Sequence, residues 1–159
     1  MNSEERGSSP GEQYWTLVEP VWDEIEIYQG PEEFARTFAR APRPAGLLFA
    51  AHFCQSEVCN GGFDQFFSNS TGVLAPEAIE GFKAIGQNVV AEIIHEACSL
   101  FGEPFPRERS LRQSKLESID SELLDSLDQK FYGIIHSENG GFETAADSYA
   151  AGAGKSSRS

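Results

Sequence analysis

The chain has 159 residues, 40% of them hydrophobic, with twelve Phe and two Trp, so it can bury the core of one domain and is not a disordered polymer. Twenty-five acidic against twelve basic residues give a formal net charge of −13, a surface that repels phosphate backbones and argues against direct nucleic-acid binding. The longest apolar run, 44–53, contains His52 and is about half the roughly twenty apolar residues of a bilayer-spanning helix, so no membrane association is expected.

Residues 1–12 read as a polar N-terminal tail without an apolar signal region, 13–151 as a helical domain, and 152–159 as a C-terminal tail. Tyr14, Val18, Val21, Trp22, Ile25 and Tyr28 recur at helical steps, and Pro20 should split or kink that segment. Gly30 before Pro31-Glu32-Glu33 marks a helix start, with Phe34 and Phe38 as its inner stripe. Pro42 and Pro44 close it and open a helix over about 44–59 that is apolar nearly all round, hence central and buried.

Asn60-Gly61-Gly62 breaks that helix, and a short aromatic one follows through Phe63, Phe66 and Phe67. Pro76 starts the next, with Ile79, Phe82 and Ile85 inward and Gly86 at its end. Asn88 is the expected cap of a helix carrying Val90, Ile93, Ile94, Ala97 and Phe101. A loop from Pro104 leads into a basic stretch with Arg107, Arg109, Arg112 and Lys115. Ser121 or Asp120 caps a last long helix with Leu123, Leu124, Leu127, Phe131 and Ile134 as its stripe, and a short helix closes the domain over 142–151. The expected fold is all-α: a single compact domain of about seven to nine helices around a central buried helix.

The side chains offer little chemistry. His52, His95 and His136 lie far apart, and Cys54, Cys59 and Cys98 fit no zinc spacing, so no metal or other cofactor is expected and the thiols read as reduced, in a cytoplasmic protein. Ser56 and Ser70 lack the flanking glycines of a nucleophile elbow, and Asn60-Gly61-Gly62 has no following Lys-Ser/Thr to hold phosphate. Cys59, at the negative end of a helix, should have a raised thiol pKa. Glu57, among Gln55, Ser56, Asn60, Gln65 and Asn69, is the best candidate for an acid or base, yet the same surroundings suit a carboxylate that ties a turn together. No catalytic constellation emerges, and the chain reads as non-enzymatic.

Charge is the other signal. Glu12, Glu19, Asp23, Glu24, Glu26, Glu32 and Glu33 occur with no base between them, as do Glu117, Asp120, Glu122, Asp125 and Asp128. At helical spacing, rows of such carboxylates lie about 5–6 Å apart and can imitate the charge of a duplex.

Tyr14-Trp15 with Pro20-Val21-Trp22-Asp23, then Glu57-Val58-Cys59-Asn60-Gly61-Gly62-Phe63-Asp64-Gln65-Phe66-Phe67-Ser68-Asn69, resembles a domain-of-unknown-function family that includes the neisserial DNA mimic. Ala84-Ile85-Gly86 and a shortened repeat, Glu138-Asn139-Gly140-Gly141-Phe142-Glu143, are similar to it as well, and the likeness runs over about 13–151. The resemblance implies a helical, frequently dimeric fold, no established enzymatic activity, and an acidic surface that occupies the DNA-binding face of a basic transcription factor. On that reading the partner surface comprises Glu19, Asp23, Glu24, Glu26, Glu32, Glu33, Glu117, Asp120, Glu122, Asp125 and Asp128. The structural motif comprises Glu57, Asn60, Gly61, Gly62, Phe63, Gln65, Phe66 and Asn69. Two alternatives stay open: a small-molecule-binding protein or enzyme with a pocket at Glu57, and a structural homodimeric module.

Overall fold

A computed structural model describes residues 9–158, and among them there are eight α-helices and no strand. They are α1 (Glu12–Val18), α2 (Pro31–Arg40), α3 (Arg43–Ser68), α4 (Ala75–Ala84), α5 (Asn88–Ser99), α6 (Arg109–Leu116), α7 (Ser121–Ile134) and α8 (Phe142–Arg158). Three short 3-10 turns, Glu19–Val21, Ser70–Leu74 and Glu138–Gly140, join them. Most of the expected N-terminal tail, residues 1–8, lies outside the described residues, as does Ser159; the backbone expected as a C-terminal tail continues α8 to Arg158.

α3 is the hub: α4, α6, α7 and α1 all pack on it. In its first arm, Leu48, Phe49, Ala50, Ala51, Cys54 and Val58 are all buried, which accounts for the lack of a polar face in that stretch. Its second arm buries Phe63, Phe66 and Phe67. Phe67 packs edge-on to Phe101 with ring centroids 4.6 Å apart, and Phe63 edge-on to Phe131 at 5.7 Å. The phenylalanines that follow the glycine pair are therefore core.

Pro20 ends α1 as expected, and beyond Val21 the chain turns instead of continuing as a helix. This corrects the single apolar stripe expected there. Val21 and Ile25 stay buried, but Trp22 is 37% and Tyr28 73% exposed, because the turn rotates them out of helical register. Leu123 is likewise 49% exposed: at the first turn of α7 its neighbour Leu124 takes the core position with Leu127 and Phe131.

Candidate functional site

Gly61 and Gly62 interrupt α3 with non-helical dihedrals, and Gly62 takes φ +78°, ψ 179°, a combination open to glycine and strained for other residues. The second arm begins at Phe63, whose N–H donates to Asp128 Oδ1 at 2.8 Å. Asp128 thus works as a cap supplied by α7, in place of the usual cap one residue upstream. Partial burial raises its carboxyl pKa, with Asp125 and Asp64 adding to the rise and the Phe63 bond opposing it.

Glu57 binds across the same break. Its Oε1 accepts from Gln65 Nε2 at 3.0 Å and from Asn69 Nδ2 at 2.9 Å, so one carboxylate joins the first arm to both ends of the second. Tyr132 adds a bond from its hydroxyl to Val58 O at 3.0 Å. The side chains of Gln55, Ser56, Glu57, Cys59, Asn60 and Gln65 line only a shallow, open depression here. Cys59 is exposed, and its thiol pKa is raised as expected, although desolvation is the cause.

The carbonyl end of the second arm is closed by arginines. Arg112 is fully buried and forms no ion pair among the described residues. Its Nε donates to Phe67 O at 2.8 Å, Nη2 to Asn69 O at 2.7 Å and Nη1 to Arg107 O at 2.7 Å. Burial, with Arg109 and Arg107 nearby, pulls its pKa down to about 10, still protonated at neutral pH. Gly72 makes the room: a Cβ there would lie 2.5 Å from Arg112 Nε. Arg109 Nε and Gln113 Nε2 donate to Ser68 O, and Arg107 forks onto Glu77 with Nη1 also on Val73 O. The basic stretch thus donates mostly to carbonyl oxygens of the fold itself, although Arg109 and Lys115 remain exposed. Arg112 was legible in one respect, because it stands four residues before the buried Leu116 on the same helix face.

The shortened repeat does a related job elsewhere. Glu138 accepts from Val89 N at 2.7 Å and Val90 N at 3.0 Å, capping α5 from outside it. This corrects the expected cap: Asn88 makes no such bond, and Gln87 holds the N-cap position while its amide donates to Ile135 O and Glu138 O. Asn139 Nδ2 donates to Ile85 O at 2.8 Å, fastening the α4–α5 turn. A third carboxylate, Asp147 on α8, accepts from Gly11 N and Tyr14 N at the start of α1. Sequence reasoning missed both Glu138 and Asp147 as caps, since neither is near its helix in the chain.

The acidic residues divide into two kinds. Glu19, Asp23, Glu24, Glu32, Glu117, Glu122 and Asp125 are exposed, and their carboxylates form no ion pair or hydrogen bond among the described residues. The others are engaged: Glu33 with Arg36, Glu26 with Tyr28 N, Asp120 with Glu122 N, and Asp128 with Phe63 N. The first acidic stretch flanks α1 and α2, and the second lies on and before α7.

Tyr14, Trp15, Trp22 and Phe53 pack their rings on His52, whose Nδ1 lies 2.9 Å from Tyr14 Oη. Among the described residues no group of three His, Cys, Asp or Glu is placed to hold a metal ion, and no helix is long and apolar enough to cross a membrane. A family model described as DMP19-like protein matches residues 39–152, from the end of α2 into α8. The match takes in both Asn-Gly-Gly-Phe turns and the Glu117–Asp128 acids, and begins after Glu33. No curated protein and no solved structure matches the chain.

Proposed function

The chain belongs to the DMP19-like protein family, and from that premise we propose that it is a non-enzymatic acidic protein that occupies the DNA-binding surface of a basic transcription factor or nucleoid protein. The observation that carries the reading is the set of exposed, unengaged carboxylates: Glu19, Asp23, Glu24 and Glu32 on one stretch, Glu117, Glu122 and Asp125 on the other. Two of the twelve basic side chains are taken up within the fold, with Arg112 buried and Arg107 forked on Glu77. A net charge of −13, with those carboxylates unpaired among the described residues, favours a cationic partner and fast, salt-dependent association.

The polar residues at Glu57, Gln65 and Asn69 satisfy one another across the glycine break, which supports a structural role for the signature turn. The test is capture of partners from native lysate at low salt, elution at high salt, and competition of the eluted protein between its DNA and this chain. The proposal expects displacement of DNA and affinity that falls steeply with salt. Association indifferent to salt, or a partner that keeps its DNA, would sink it.

A further inference from the structure

A second hollow at Glu57, distinct from the open depression at Asn60, has a volume of about 250 Å³ and is walled by Tyr28, Asn69, Ser70, Thr71 and Arg109. It holds one carboxylate and one guanidinium, yet Glu57 and Arg109 form no ion pair among the described residues. Each is held from behind instead. Glu57 is anchored through Oε1 by Gln65 and Asn69, which leaves Oε2 without a hydrogen-bond partner among the described residues. Arg109 is anchored through Nε on Ser68 O, and its terminal nitrogens have no partner among the described residues. Thr71, 6% exposed, contributes a hydroxyl that has no partner either.

Opposite charges fixed on one cavity wall, each with donors or acceptors to spare, suit a ligand with two complementary ends. A purely anionic ligand would meet Glu57 and a purely cationic one Arg109, so each is disfavoured. We propose that this hollow binds a small zwitterion of free amino-acid size, with its carboxylate on the Arg109 terminal nitrogens and its ammonium on Glu57 Oε2. A neighbouring hollow shares Tyr28, Ser70 and Arg109 and adds Ile27, Pro31 and Val73 beside Arg107, Glu108 and Arg112, so the ligand's side chain would meet apolar and charged groups together.

The test titrates the full chain with each free L-amino acid by calorimetry, and with the N-acetyl and methyl-ester forms of any that bind. The proposal expects a Kd at or below about 1 mM for at least one amino acid. Both blocked forms and Arg109→Gln should each weaken that binding by at least about tenfold, because a charged group then loses its partner. If Arg109→Gln fails to fold, Tyr28→Ala carries the comparison: its ring is 73% exposed and makes no side-chain hydrogen bond. That variant should weaken binding by at least about threefold. Weaker binding by every amino acid, blocked forms that bind as well as the free one, or variants that bind as the wild type would each overturn the proposal.

Discussion

Asp128 and Phe63 are 65 positions apart in sequence, yet the carboxylate of one accepts the N–H of the other at 2.8 Å and so starts the second arm of α3. Asp128→Ala should therefore cost about 1–2 kcal/mol, the usual loss on removing a cap. Asp128→Asn, which keeps an acceptor, should lose much less. The raised pKa gives a further sign: the stability this group contributes is greatest at acid pH and declines as pH rises from its unfolded value through its folded one. Urea midpoints from pH 3 to 7 should show a flatter profile for Asp128→Asn.

Gly62 should be the least replaceable residue of the signature. An added Cβ would lie 2.5 Å from Asp128 Oδ2 and would impose φ +78° on an L residue. Gly62→Ala should lose about 2 kcal/mol or more. Gly61→Ala should cost less, since φ at Gly61 is −148° and carries no left-handed strain, the loss being that of Gln65 displaced from Glu57. Chemical denaturation of the pair would show whether that order holds.

Arg112 donates to three carbonyl oxygens at 2.8 Å or less. Lysine has a single point of charge and cannot span them, so Arg112→Lys should destabilise by about 2–4 kcal/mol although the formal charge is kept. A melting temperature equal to that of the wild type would contradict this account of the carbonyl cage.

Burial lowers the pKa of His52, while desolvation, Glu143 and Asp147 push the Tyr14 hydroxyl up to about 12. A histidine with a lowered folded pKa binds its proton later than the unfolded chain does, so stability falls as pH drops below about 6.5. His52→Gln should reduce that acid slope, and Tyr14→Phe should cost about 1 kcal/mol at neutral pH by removing one hydrogen bond. Thermal unfolding between pH 5 and 8 separates the two effects.

Neutralising Glu19, Asp23, Glu24 and Glu32 together, as amides, should leave the fold within about 0.5 kcal/mol of the wild type, because these exposed groups touch no structural partner. The same variant should lose partner capture at low salt. Retained capture with unchanged salt dependence would place the interaction elsewhere.

The helical architecture was legible because its signals are local. Apolar steps of three and four, Pro20, Pro31 and Pro76, and the Gly61-Gly62 pair each act within a turn or two of where they stand. Asp120 as a cap was legible for the same reason, with its side chain accepting from Glu122 N. Glu138 and Asp147 were not, because each serves a backbone terminus many residues away; Arg112 was legible as an inward position by its spacing to Leu116, but the carbonyls it binds were not, for the same reason. Trp22, Tyr28 and Leu123 failed for the converse reason: periodicity supplies an apolar position, but a turn in the chain or an adjacent competitor decides which side chain turns inward.

Three helix starts depend on carboxylates from the last third of the chain: α1 on Asp147, the second arm of α3 on Asp128 and α5 on Glu138. A nascent chain emerging from the ribosome would carry these helices through most of synthesis with their first N–H groups uncapped. Native structure in the early segments then waits on residues 128–147, which follow their helix starts by 48 to 136 positions, at about 5–20 residues per second a delay of seconds to tens of seconds. Chains stalled or clipped before Asp128 would be substrates for chaperones and proteases.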